Sequence, residues 1–142
     1  MGSNTFPKDH SNIAIGIDIV SISRIDQILQ SHPRQFRKYA FTKNEQEYCD
    51  NQGYPSQHYA SRWAVKEAYV KAIGAGDVSL SDIEVLHYND VEISLHDSAT
   101  ERLAAFGEKR GKSVEDLDID FSMTHSVETD TASAIVLVSA LG

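Results

Sequence analysis

Four alanines recur at strict four-residue intervals, Ala60, Ala64, Ala68 and Ala72, within an unbroken stretch of helix-forming residues. A period of four keeps side chains on one helical face, so about Ser56 to Ile73 must form a long helix. Its stripe of small side chains lets a sheet or a second helix come close. Gly74-Ala75-Gly76 ends the helix, because glycine readily takes the left-handed backbone of a C-terminal cap.

The remaining patterns supply what packs on it. Ile13 to Val20 (IAIGIDIV) is apolar and β-branched, interrupted by Gly16 and Asp18, and reads as a buried strand. Ile22, Ile25, Ile28 and Leu29 follow at helical spacing until Pro33 stops the run. Thr42 to Glu45 is a capping box, predicting a short helix through about Asp50. Gly53-Tyr54-Pro55 breaks the chain, and Ser56 is placed to cap the long helix. Ile83/Val85 and Val91/Ile93/Leu95 alternate on either side of Tyr88-Asn89-Asp90, as in a hairpin. Ser98 to Glu101 is a second capping box, opening a helix that Gly111 closes. Ile119, Phe121 and Met123 alternate with polar residues up to His125, and Ala134 to Val138 reads as a buried final strand. Strand, three helices, hairpin, helix, hairpin is the order of an α+β domain, a mainly antiparallel sheet packed on a long helix.

Composition narrows the function. The 142 residues suit one domain, read here as residues 11–142 behind a flexible polar tail at 1–10. No run approaches the ~18 apolar residues of a membrane span, and the N-terminus lacks the features of a secretory signal. Cys49 is the single cysteine, which excludes an internal disulfide and a cysteine-based zinc site and suits a reducing cytoplasm. The net charge of −8 argues against nucleic-acid binding. The charge is unevenly spread. Arg24, Arg34, Arg37, Lys38 and Lys43 stand against Asp26 alone between Ser21 and Lys43, a net +4. That segment is either a set of solvated helix faces or a docking surface for an acidic partner.

Three features can carry chemistry. Asp18 interrupts an apolar strand, where a carboxylate must be paired, hold a metal or reach water at the strand end. Glu67 and Lys71 share a face of the long helix at i, i+4, one turn after Trp63, with Arg62 and Lys66 nearby. Taken alone they could be an ordinary surface ion pair. Ser122-Met123-Thr124-His125 closes a strand with hydroxyls and a histidine, which alone could be a polar strand end.

Together these blocks resemble the holo-acyl-carrier-protein synthases, the short, trimeric type of 4′-phosphopantetheinyl transferase. Gly16-Ile17-Asp18-Ile19-Val20 followed by Arg24-Ile25 resembles the family's first signature, and Arg62 through Gly76 its second. Ser122 to His125 with Ala134 to Val138 resembles its last two strands. The resemblance runs from about Ile13 to Val138, with Asp18 and Glu67 forty-nine residues apart. Val70 stands where a serine is frequent, Trp63 where phenylalanine is usual, and the middle hairpin lacks the familiar Gly-Lys-Pro.

The resemblance implies transfer of 4′-phosphopantetheine from coenzyme A to a serine of an acidic apo acyl carrier protein, releasing adenosine 3′,5′-bisphosphate. It implies magnesium held by Asp18 and Glu67, with Lys71 offsetting phosphoryl charge and Glu67 or a water on the metal as base. It further implies coenzyme A contacts from Arg62, Lys66, Lys71, Gly74, Gly76 and His125, a homotrimer with active sites between subunits, and a cytoplasmic enzyme. Arg24, Arg34, Phe36 and Arg37 are then the carrier-docking candidates, Phe36 as an apolar anchor. A relative that binds coenzyme A or a carrier without catalysis is the alternative class.

Overall fold

A computed structural model describes residues 11–74, 77–87 and 90–141. The expected tail at 1–10, Gly76, and Tyr88 and Asn89 of the hairpin turn lie outside the described residues. The elements are β1 (Ile13–Ser21), α1 (Ile22–Ser31), α2 (Pro33–Ala40), α3 (Lys43–Asp50), α4 (Pro55–Ile73), β2 (Ile83–His87), β3 (Val91–Leu95), α5 (Asp97–Glu108), β4 (Asp118–Ser126) and β5 (Thr131–Ser139). Both sheets are antiparallel, one of three strands in the order β1-β5-β4 and one formed by β2 and β3. This is the expected α+β arrangement. Among the described residues no helix is long and apolar enough to cross a membrane.

The alanine stripe does what its spacing requires. Ala64 and Ala68 are fully buried in a core shared with Tyr69, Ile83, Leu103, Val136 and Val138, so α4 lies across the larger sheet. Ala60 turns toward a second core with Ile22, Ile25, Leu29, Phe41 and Tyr59, which seats α1 and α2 on the first half of α4. The closest approach is at Gly16. A Cβ there would lie 1.8 Å from the Ala68 carbonyl oxygen and 2.7 Å from the Ala72 nitrogen, so only glycine lets β1 meet α4.

That contact inverts the reading of β1 as a buried strand. Ala14, Gly16, Asp18 and Val20 face α4, whereas Ile13, Ile15, Ile17 and Ile19 point away and are 41–68% exposed. The helix side accepts only small or functional side chains, which drives the branched ones to the other face.

Other local differences have equally direct causes. Pro33 both stops α1 and opens α2, a further helix, because proline at the first helical position loses no hydrogen bond. The Thr42–Glu45 capping box forms in full. Ser56 does not cap α4. Tyr54 holds that position and buried Ser56 donates to Asp26 instead (2.5 Å). The Ser98–Glu101 box does not form either, because Asp82 Oδ2 accepts both the Ser98 N–H (3.1 Å) and hydroxyl (2.5 Å). Gly74 caps α4 with a left-handed φ of 65°, as its position required.

Candidate active site

The strand side Gly16 keeps narrow is the side that carries Asp18. Two residues beyond the glycine on the same face, its carboxylate lies against α4, where Lys71 Nζ donates to Oδ1 at 2.8 Å and to the Ile17 carbonyl at 3.3 Å. The hydrogen bond to Asp18, and then its charge, raise the Lys71 pKa, so the lysine is held as a cation. Glu67, one turn earlier on α4, shares with Asp18 a groove of about 650 Å³. Burial, followed by the Asp18 charge, raises the Glu67 pKa, while Lys71 opposes the rise. Two neighbouring carboxylates, one of them half-buried, beside a single exposed lysine form a centre that suits a further cation.

The groove continues over an apolar floor of Ile25, Ile28, Phe36 and Trp63, with exposed Arg24 at its rim. Its entrance is stiffened where β1 passes into α1. Asp130, from the β4–β5 turn and itself in left-handed backbone (φ 52°), accepts from Ser21 Oγ, Ser23 N and Ser23 Oγ at 2.6–2.8 Å. No sequence motif marked Asp130, because it caps α1 from more than a hundred residues away.

Arg62 and His125 form a second cluster. Asp18 sits on β1 and His125 on β4, the two outer strands of the sheet, and His125 Nδ1 meets Ser61 Oγ at 3.0 Å. The Arg62 side chain is buried with its guanidinium 4.5 Å from the Tyr48 ring centroid, and its Nε and Nη2 make no hydrogen bond. The structure therefore unites Asp18, Glu67 and Lys71, and separately Arg62 and His125.

Lys66 requires correction as a coenzyme A contact. It is fully buried, and its three donors are spent on Glu45 Oε1 (2.8 Å), the Leu80 carbonyl (3.0 Å) and the Ile83 carbonyl. Glu45 Oε1 also accepts the Thr42 N–H, and Oε2 the Val85 N–H, so one carboxylate serves cap, ion pair and strand edge. Burial lowers the Lys66 pKa despite the Glu45 charge.

The docking candidates divide. Arg24 and Arg34 are exposed, whereas Arg37 is tied to Asp50 (3.1 Å) and Tyr59 (3.1 Å). Phe36 is 92% withdrawn from solvent, being 8% exposed, and packs on Phe41 and Trp63, so it belongs to the groove floor and not to a projecting anchor.

Comparison with known proteins agrees with this geometry. Residues 14–129 match the family described as ACPS, the 4′-phosphopantetheinyl transferase superfamily. The chain is 35% identical over 131 residues to a holo-[acyl-carrier-protein] synthase of Syntrophus aciditrophicus, covering 89% of this chain and 94% of that protein. It is 37% identical over 131 residues to the enzyme of that name from Geobacter sulfurreducens, covering 87% and 92%. Among solved structures, an ACPS–CoA complex from Chronobacterium ammoniagenes superposes with a TM-score of 0.74 at 25% identity, covering 93% of this chain and all of that one. The Neisseria meningitidis holo-[acyl-carrier-protein] synthase gives 0.70 at 29% identity, covering 89% and 97%. The chain belongs to the 4′-phosphopantetheinyl transferase superfamily, in its holo-[acyl-carrier-protein] synthase family.

Proposed function

We propose that this enzyme transfers 4′-phosphopantetheine from coenzyme A to a serine of an apo acyl carrier protein. The observation that carries the reading is the convergence of Asp18, Glu67 and Lys71 at one groove in a chain of this family. In the reaction the carrier serine oxygen bonds to the β-phosphorus of coenzyme A. The bond from that phosphorus to the bridging oxygen breaks, and adenosine 3′,5′-bisphosphate leaves.

The residues fit magnesium, which takes oxygen ligands and is commonly held by one or two carboxylates with phosphate and water. Asp18 and Glu67 would hold it, and when bound it supplies positive charge to the phosphate oxygens. Glu67, whose carboxyl has a raised affinity for protons, takes the proton from the serine hydroxyl. Lys71, held as a cation and largely exposed, turns from Asp18 to the phosphate and offsets the charge that builds there. Arg62 and His125 hold phosphates of coenzyme A, and Gly74, exposed with no side chain, lets backbone approach the nucleotide.

The working unit is a homotrimer in the same reading. Two half-sites stand at opposite edges of one three-stranded sheet, and the sheet's outer face is a ladder of exposed isoleucines, Ile13, Ile15, Ile17, Ile19 and Ile135. An apolar strip of this kind on a sheet marks an interface. Packing copies through it would bring the Asp18 edge of one chain near the His125 edge of another. The acidic carrier docks on Arg24 at the groove rim and on exposed Arg34 of α2, in the cytoplasm.

Mass spectrometry of an apo carrier incubated with coenzyme A and magnesium tests the assignment. The wild-type chain adds phosphopantetheine, and Asp18→Ala and Glu67→Ala each reduce transfer at least a thousandfold while remaining folded. Near-normal transfer by either variant refutes the two-carboxylate site. A carrier left unmodified by the wild-type chain refutes the transferase reading.

A further inference from the structure

The two outer strands of the larger sheet carry opposite charge along their free edges. Both β1 and β4 pair with the central β5, and among the described residues no further strand covers either. Beside the start of β1, a groove of about 520 Å³ runs between that strand, the end of α4 and α5. Lys71, Arg102, Lys109 and Arg110 line it, and no carboxylate among the described residues does. Lys71 is engaged by Asp18 and Arg102 by the Gly74 carbonyl, but Lys109 and Arg110 have no acidic partner among the described residues. Arg110 is held in position. Its guanidinium lies 3.6 Å from the Phe106 ring centroid, and its Nε donates to the Ser11 carbonyl just ahead of β1 (2.5 Å).

The opposite edge is acidic at the same height. Ile13 and Asp118 both stand opposite Ser139 of β5, and Ile15 and Asp120 both stand opposite Leu137. Residues paired across a sheet share a face, so Asp118 and Asp120 lie on the outer side with the isoleucines, while Ile119 and Phe121 pack on the core. Both aspartates are exposed, and neither forms an ion pair among the described residues. A carboxylate on a face that another copy covers is costly unless that copy brings a cation.

We propose that Lys109 and Arg110 of one copy pair with Asp118 and Asp120 of the next, and that these pairs fix the register in which the copies assemble. The proposal rests on the homotrimer of the preceding section and names the charges that close it. β1 and β4 are both antiparallel to β5 and therefore parallel to each other. Rotation about an axis along the strands preserves height and direction, so the β1 edge of one copy meets the β4 edge of the next level with it, in a closed head-to-tail ring. Asp118 and Asp120 then fall beside Ile13 and Ile15, which line the basic groove. The same rotation brings His125, level with Val20 through Ala132, to within two residues of the height of the neighbouring Asp18. Apolar contact between isoleucines is non-directional and tolerates a slipped copy, whereas a slip separates these charges.

Sedimentation velocity of the full chain over a concentration series tests the pairing, with circular dichroism to show that each variant is folded. Asp118→Lys with Asp120→Lys, and separately Lys109→Glu with Arg110→Glu, oppose like charges at every junction. Each pair of substitutions should raise the concentration at which the trimer half-dissociates by roughly tenfold or more. The chain carrying all four substitutions again opposes unlike charges and should return to within about threefold of wild type. Folded double variants that dissociate at the wild-type concentration overturn the pairing, as does a four-substitution chain no better than the doubles. Unchanged association with Lys109 and Arg110 reversed would give the groove to an acidic occupant other than a second copy. A wild-type chain that stays monomeric refutes the homotrimer itself, whereas a wild-type trimer indifferent to these charges refutes only the pairing.

Discussion

Replacing Gly16 with alanine adds one methyl group at the point where β1 crosses α4. The new Cβ would stand 1.8 Å from the Ala68 carbonyl oxygen and 2.8 Å from its carbon, where ordinary contact begins near 3.4 Å. Both are helix backbone atoms, so no side chain can rotate away. The strand must back off from the helix by about 1.6 Å, the difference between 3.4 and 1.8 Å. Overpacking of a core commonly costs about 1–3 kcal/mol, and rigid backbone on both sides places this case at the upper end or beyond. A loss of about 3 kcal/mol lowers the Tm of a domain of this size by roughly 10 °C. The functional effect is separate. Asp18 rides on the displaced strand while Glu67 and Lys71 stay on the helix, and a displacement near 1 Å at a catalytic constellation can cost about a hundredfold in rate. Differential scanning calorimetry and transfer kinetics on Gly16→Ala therefore expect a lower Tm together with kcat reduced at least a hundredfold. A variant as stable and as active as wild type would refute the close strand–helix contact and the account of the site built on it.

Three further outcomes follow from the same structure. Lys66→Met leaves the Glu45 carboxylate buried without its cation and should cost about 3–5 kcal/mol in urea denaturation, and a loss below ~1 kcal/mol would show the pair to be dispensable. Ile17→Lys places a charge on the exposed isoleucine ladder through which the proposed homotrimer packs, and should leave a monomer in light scattering with transfer abolished. A trimer of unchanged mass would remove that face from the interface. Arg24→Glu should raise KM for the carrier roughly fivefold, equivalent to ~1 kcal/mol, and leave KM for coenzyme A unchanged. Equal effects on both would tie Arg24 to the phosphopantetheine groove instead of the carrier.

The parts of this fold legible in the sequence were those fixed by local chemistry. The alanine stripe, the Gly74 cap and the Thr42 box each involve residues within one or two turns, and each took the expected form. The parts read wrongly depend on atoms far along the chain. Asp82 displaces the Ser98 box, Asp26 captures Ser56, and Glu45 withdraws Lys66 from the surface, none of which leaves a periodic trace. Pro33 was legible as a stop but not as the start of α2, since the same ring serves both ends. β1 reads as a buried strand because apolar, β-branched strands usually are. A face that is exposed in one chain and suited to cover by another defeats that rule. For the site, Asp18, Glu67 and Lys71 could be named only through the family resemblance of their motifs, because the spacing alone also fitted an ordinary surface ion pair.

The burial of Lys66 has a consequence for its neighbour. Successive residues on a helix project about 100° apart, so the direction of one sets the direction of the next. Lys66 is held by groups from α3, from the turn at Leu80 and from β2, and none of these segments lends a reactive side chain to the groove. Together they set the angle of α4 about its own axis, as a key sets a shaft, and with it the direction in which Glu67 and Lys71 aim. The quiet half of the molecule thus steers the reactive half. A change that shifts the Ile83 strand edge or the Thr42 cap would be felt as a turn of the helix, with every residue of the groove still present and none of them aligned.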